Sequence, residues 1–146
     1  MFTTQKTVVV LLLSAVLGGI MPSSASADGL FSLERSHKYL GFGTVALAGM
    51  TAATGGDNDA HKSLAGATAA CALTTVLTGY LAHSDRFDKS EGFFSKENRH
   101  IIAATAGAAL LTTAVLIADD GKEKSHAGLG ATGGILMTIA IIDIKW

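Results

Sequence analysis

Apolar and polar positions in this chain segregate into long blocks. Four apolar stretches run at about Tyr39–Thr54, Ser63–Ala82, Ile101–Ala118 and Ala127–Ile142. Each holds about 16–20 residues, and with its adjoining turn reaches the ~20 residues that cross a bilayer as a helix. Glycine and charge clusters separate them: Gly55-Gly56-Asp57-Asn58-Asp59, then Ser84 to Arg99, then Asp119-Asp120-Gly121-Lys122-Glu123-Lys124. Short first and third links predict helical hairpins, and the longer middle link joins the two. The pattern therefore predicts an all-α fold: an antiparallel four-helix transmembrane bundle built from two helical hairpins.

A further apolar block comes first. Lys6 gives a positive start, Thr7 to Ile20 is apolar, Pro22 breaks the run, and Ala25-Ser26-Ala27 has the form of a cleavage site. Residues 1–27 read as a signal peptide, with an uncleaved anchor as the other reading. Residues 28–146 then form the four-helix transmembrane domain.

Composition changes this picture little. The 146 residues are 49% hydrophobic and 16% charged, with mean hydropathy +0.41. The net charge of −1 offers no basic field for nucleic acid. Cys71 is the only cysteine, so the chain has no intramolecular disulfide, no Cys-based zinc site and no C-x-x-C-H for covalent haem. It reads as a small buried apolar residue.

Histidines supply the candidate chemistry. His37, His61, His100 and His126 each open one apolar segment. In an antiparallel bundle, His37 and His100 fall at one membrane face and His61 and His126 at the other. Facing histidine pairs inside a bundle suit two non-covalently held bis-histidine haems of the b type. The helix dipole favours the neutral imidazole that ligates metal. Lys38, Lys62, Arg99 and Lys124 lie within two positions of the four histidines, as haem propionates or interfacial anchoring would require. His83 ends the second segment and reads as an interfacial residue, with an alternative ligand or proton carrier as the other possibility. With two ligands per face and no H-E-x-x-H, zinc is a poor alternative.

The two halves look like copies. His37 to His83 covers 47 residues, as does His100 to Trp146; the histidine spacing is 24 in the first half and 26 in the second. Three segments begin His-x-x-Leu; Ala103 breaks the pattern after His100. Gly, Ala and Thr dominate the helices, and such small residues let backbones approach closely in lipid.

Residues 37–146 resemble the cytochrome b561 superfamily. The likeness rests on four helices, four helix-start histidines, and His37-Lys38-Tyr39-Leu40-Gly41 with its weaker echo His126-Ala127-Gly128-Leu129-Gly130. The resemblance implies a four-helix core with two b haems that moves electrons across a membrane. Carried over, His37 and His100 would ligate one haem, and His61 and His126 the other. Many members have six helices, and no ascorbate-binding motif is present here.

The expectation is a b-type cytochrome in the cytoplasmic (inner) membrane, multi-pass and bathed in lipid, with a quinol or redox protein as partner. One alternative is a non-haem membrane subunit that packs or assembles with a larger complex. Another is a small transporter or channel with histidines on a proton path. Signal cleavage places the mature N-terminus in the periplasm. The charges oppose that choice: Arg35, Lys38, Arg86, Lys89, Lys96, Arg99 and Lys145 share that face, against Lys62, Lys122 and Lys124 opposite. Trp146 and Phe93-Phe94 read as membrane-surface residues.

Overall fold

The computed structural model describes residues 32–86, 89–118 and 123–144. The signal peptide at 1–27 and the Trp146 anchor lie outside the described residues. Four helices account for most of the rest: α1 (Leu33–Thr54), α2 (Asp59–His83), α3 (Lys96–Ile117) and α4 (Glu123–Asp143). Short 3-10 turns occupy Ser84–Arg86 and Lys89–Glu91 between α2 and α3, and no strand occurs among the described residues.

Polar residues set the helix starts. Ser32 accepts from the Arg35 amide, and Ser95 from the Asn98 amide, both at 3.2 Å. Each hydroxyl satisfies one of the amides that a helix start leaves unpaired. Asn58 joins two helices. Its Oδ1 accepts from the His61 amide at 2.8 Å, and its Nδ2 donates to the Thr54 and Gly55 carbonyls. Gly56, with φ of 83°, takes the left-handed backbone of that turn.

α1 packs along α2, and α3 along α4. α2 joins the pairs through α3, and α1 touches α4 more sparsely. The helices therefore go round in chain order, with α1 and α3 on one diagonal and α2 and α4 on the other. As α1 runs from His37 to Thr51, its partners on α2 fall from Thr75 to Thr68 and His61.

Small side chains fill the interior. Ala72, Ala103, Ala104, Ala108, Leu111, Met137 and Ala140 form the buried cluster. α3 and α4 come closest at two glycines. A Cβ on Gly107 would meet the Gly133 carbonyl oxygen at 3.0 Å, and one on Gly133 would meet the Gly107 oxygen at 2.9 Å. α1 and α2 instead meet through hydroxyls, Thr44 with Thr75 at 3.1 Å and Thr51 with Thr68 at 3.0 Å. Each of these threonines also points its oxygen at the carbonyl four residues back. A hydroxyl has one proton, so in each pair one partner gives up its intrahelical bond when it donates across. Cys71 is half-buried, its thiol directed at the Leu40 carbonyl at 3.4 Å.

Among the described residues, three helices are long and apolar enough to cross a membrane: α2, α3, and α4 from Ser125 to Asp143. α1 falls short of that measure, although the sequence pattern predicts a span there. Glu34, Arg35, His37 and Lys38 crowd its first turns. The apolar remainder, Tyr39–Thr54, is 16 residues, as long as Ala127–Ile142 of α4, but it is rich in glycine and threonine and lacks the isoleucines of α4. Leu77, Leu116, Ile135, Ile139 and Ile142 face outward and exposed, a distribution suited to lipid.

Candidate functional site: two histidine layers

The four histidines do not merely open helices. Each lies within the first five residues of its own helix and reaches across to a neighbour. His37 Nδ1 meets the Thr75 carbonyl at 2.9 Å, and His61 Nδ1 the Thr51 carbonyl at 2.9 Å. In the other pair of helices, His100 Nδ1 meets the Ala140 carbonyl at 2.7 Å and His126 Nδ1 the Ala114 carbonyl at 2.9 Å. A carbonyl oxygen only accepts, so Nδ1 carries the proton in all four rings. In the neutral ring Nε2 then keeps its lone pair, the form in which imidazole binds a metal.

Three of the acceptors have a plain local reason. Thr51, Ala114 and Ala140 lie within the last four residues of α1, α3 and α4. Carbonyls in a last turn are short of backbone donors; a histidine from the next helix supplies one to each, and Thr51 also accepts from the Thr54 hydroxyl at 3.0 Å. Thr75 lies further inside α2.

These contacts repeat between the halves. His37 to His100 and Thr51 to Ala114 are both shifts of 63 residues; His61 to His126 and Thr75 to Ala140 are both shifts of 65. Within every helix the histidine and the carbonyl it offers are 14 residues apart: His37 and Thr51, His61 and Thr75, His100 and Ala114, His126 and Ala140. Fourteen residues make nearly four turns, so both groups face the same way, ~21 Å apart along the axis. Each helix thus gives a histidine to one layer and a carbonyl to the other.

Within each layer the rings meet across a diagonal. His37 and His100 have ring centroids 5.8 Å apart at 83°, and His61 and His126 5.7 Å apart at 74°. The Nε2 atoms of His61 and His126 lie 3.4 Å apart. With both rings neutral and both Nδ1 protons committed to carbonyls, two acceptors face each other. The pairing of Nδ1 is explained by helix capping; the opposition of the two lone pairs is not.

That opposition provides a test of fit for haem iron. Two axial imidazole–metal bonds of about 2.0 Å each would need the nitrogens ~4 Å apart, a few tenths of an ångström beyond the observed separation. Carbonyl-bound Nδ1 is also the usual way a metal-binding histidine is held in orientation. The His61 and His126 nitrogens stand near that separation. Among the described residues, no group of three or more His, Cys, Asp or Glu is placed to hold a metal ion.

The basic neighbours are partly engaged. Lys62 pairs with Asp57, and the hydrogen bond from Lys62 holds that exposed carboxyl below its ordinary range. Arg99 donates to Asp143 at 2.9 Å. Either base would have to exchange a carboxylate for a propionate. The Lys124 side chain lies outside what the structure describes.

His83 is closer to the site than its position in the sequence suggests. Its ring centroid lies 6.0 Å from that of His37, edge to face. The layer that holds His37 and His100 therefore has a third imidazole beside it. Thr75, Gly79 and His83, spaced by four, form one stripe of α2, and all three meet His37. That spacing was the available signal for both Gly79 and His83.

No family model, no curated protein and no solved structure matches this chain.

Proposed function

We propose that this protein is a small di-haem b-type membrane cytochrome that relays electrons across or within the membrane. The observation that carries this reading is the His61–His126 pair, whose two Nε2 lone pairs face each other at 3.4 Å with both Nδ1 atoms held by carbonyls. His37 and His100 would hold one haem, and His61 and His126 the other. Bound haem supplies reversible one-electron chemistry at iron.

The chain's own residues do the rest. The carbonyls of Thr75, Ala140, Thr51 and Ala114 fix ring orientation and raise the basicity of the ligating nitrogens. The interior is mostly alanine, with Leu111 and Met137 its only large members in the buried cluster among the described residues. In this reading the helices run antiparallel as two hairpins after a cleaved signal peptide. The layers then lie at opposite faces of the cytoplasmic membrane, which suits relay from a quinol or cytoplasmic-side donor to a periplasmic redox protein.

The test is a visible spectrum. Purified in detergent after expression with ample haem supply and reduced with dithionite, the protein should give a b-type α-band. The haem-to-protein ratio should be near two. Absence of the band would sink the reading.

A second reading has its own support. Three of the four Nδ1 contacts satisfy carbonyls at helix ends, which a non-haem subunit assembling with a larger complex would also need. The same spectrum separates the two.

Orientation is tested independently. Reporter fusions after Asp28 and in the loop at Lys89 should both report the periplasm. Cytoplasmic signal from both would reverse the assignment and follow the basic residues instead.

A further inference from the structure

We propose that Gly79 is a positioning residue for His37, fixing the ligand at one layer while leaving the other layer untouched. The proposal rests on the reading of His37 as a haem ligand, but its geometry does not. A Cβ added at Gly79 would lie 2.6 Å from Cε1, 2.9 Å from Nδ1 and 3.4 Å from Nε2 of His37. The imidazole lies against bare backbone, in the space that any side chain would fill. His37 is buried, only 6% exposed, and is bounded on its other sides by His83 and His100. A methyl at position 79 therefore has to displace the ring, and a displaced ring loses its 2.9 Å bond to the Thr75 carbonyl.

The seat belongs to one half of the molecule. The 65-residue shift that relates Thr75 to Ala140 carries Gly79 to Ile144, beyond the end of α4. His100 has no counterpart of this glycine. Gly43 gives a contrast on α1: a Cβ there meets only the Cys71 sulfur, at 3.7 Å, an ordinary contact.

Two experiments test the proposal. In haem-loaded protein, Gly79→Ala should lower the haem-to-protein ratio by about half, as His37→Ala does, and leave the electron-paramagnetic signal of the His61/His126 haem unchanged. Gly43→Ala should keep both haems. In haem-free protein, a double-mutant cycle on thermal stability isolates the contact. Gly79→Ala should lower the melting temperature in the wild-type background and cost nothing in His37→Ala, because the ring it strikes is then absent. Equal loss in both backgrounds would overturn the proposal, as would two unaltered haems in Gly79→Ala. Failure to load haem in the wild type would count against the cytochrome reading alone, since the cycle needs no haem.

Discussion

His61→Ala should lower the haem content of the purified protein from about two per chain to about one, and His61→Ala with His100→Ala to none. The first substitution removes the ring that faces His126 Nε2. It also removes one of two donors to the Thr51 carbonyl near the end of α1, leaving the Thr54 hydroxyl. Neither loss is transmitted to His37 and His100, some ~21 Å along the bundle. The remaining layer should thus keep its spectrum. His83→Ala should retain both haems, since its ring lies beside His37 and does not oppose it across the bundle. Pyridine haemochrome assay against protein concentration gives the ratio. If His61→Ala retained two haems, the assignment of His61 and His126 as a ligand pair would be wrong.

Gly107→Val should be the most damaging single change away from the histidines. The added Cβ would meet the Gly133 carbonyl oxygen at 3.0 Å and the Met137 backbone nitrogen at 3.1 Å. Both belong to backbone, which cannot swing aside like a side-chain tip. α3 and α4 must separate, and the His100 and His126 contacts that span them stretch. Overpacking of a tight core costs about 1–3 kcal/mol, and the γ-methyls of valine add to it. The melting temperature in detergent, followed by circular dichroism, should fall sharply, and haem should be lost from both layers. Gly128→Ala and Gly130→Ala are the controls. A Cβ at either position meets nothing within 4 Å, and alanine is the better helix former by about 1 kcal/mol. Equal damage from Gly107→Val and Gly128→Ala would refute the close-approach argument.

Much of the architecture was legible in the sequence because it rests on block polarity. Apolar runs broken by glycine and charge place four helices to within a few residues, and the histidines stand at their beginnings. The first helix was harder. Its apolar stretch marks a helix correctly, but His37, Lys38 and a run of glycine and threonine leave it less hydrophobic than the other three, although Tyr39–Thr54 is as long as Ala127–Ile142. The carbonyl partners of the histidines were not legible at all. Thr51, Thr75, Ala114 and Ala140 act through backbone oxygen, which every residue type carries. Gly79 was missed, and His83 read chiefly as an interfacial residue, for a different reason. Each is unremarkable alone, and their importance comes from sharing a helix stripe with Thr75 against a ring on another helix.

The 14-residue span from histidine to carbonyl ties the two ends of every helix together. One inserted residue between them would turn the far end by ~100°, so a helix could serve one layer or the other but not both. The links carry no such constraint. From Thr51 to His61 is 10 residues, and from Ala114 to His126 is 12. The two halves of the molecule thus differ in length only where the chain turns round. Inside the bundle, chemical identity is free to drift, from threonine to alanine at the carbonyl positions, while phase is not. Length is the conserved quantity within the molecule, and a single-residue deletion in any helix is a heavier lesion than most substitutions there.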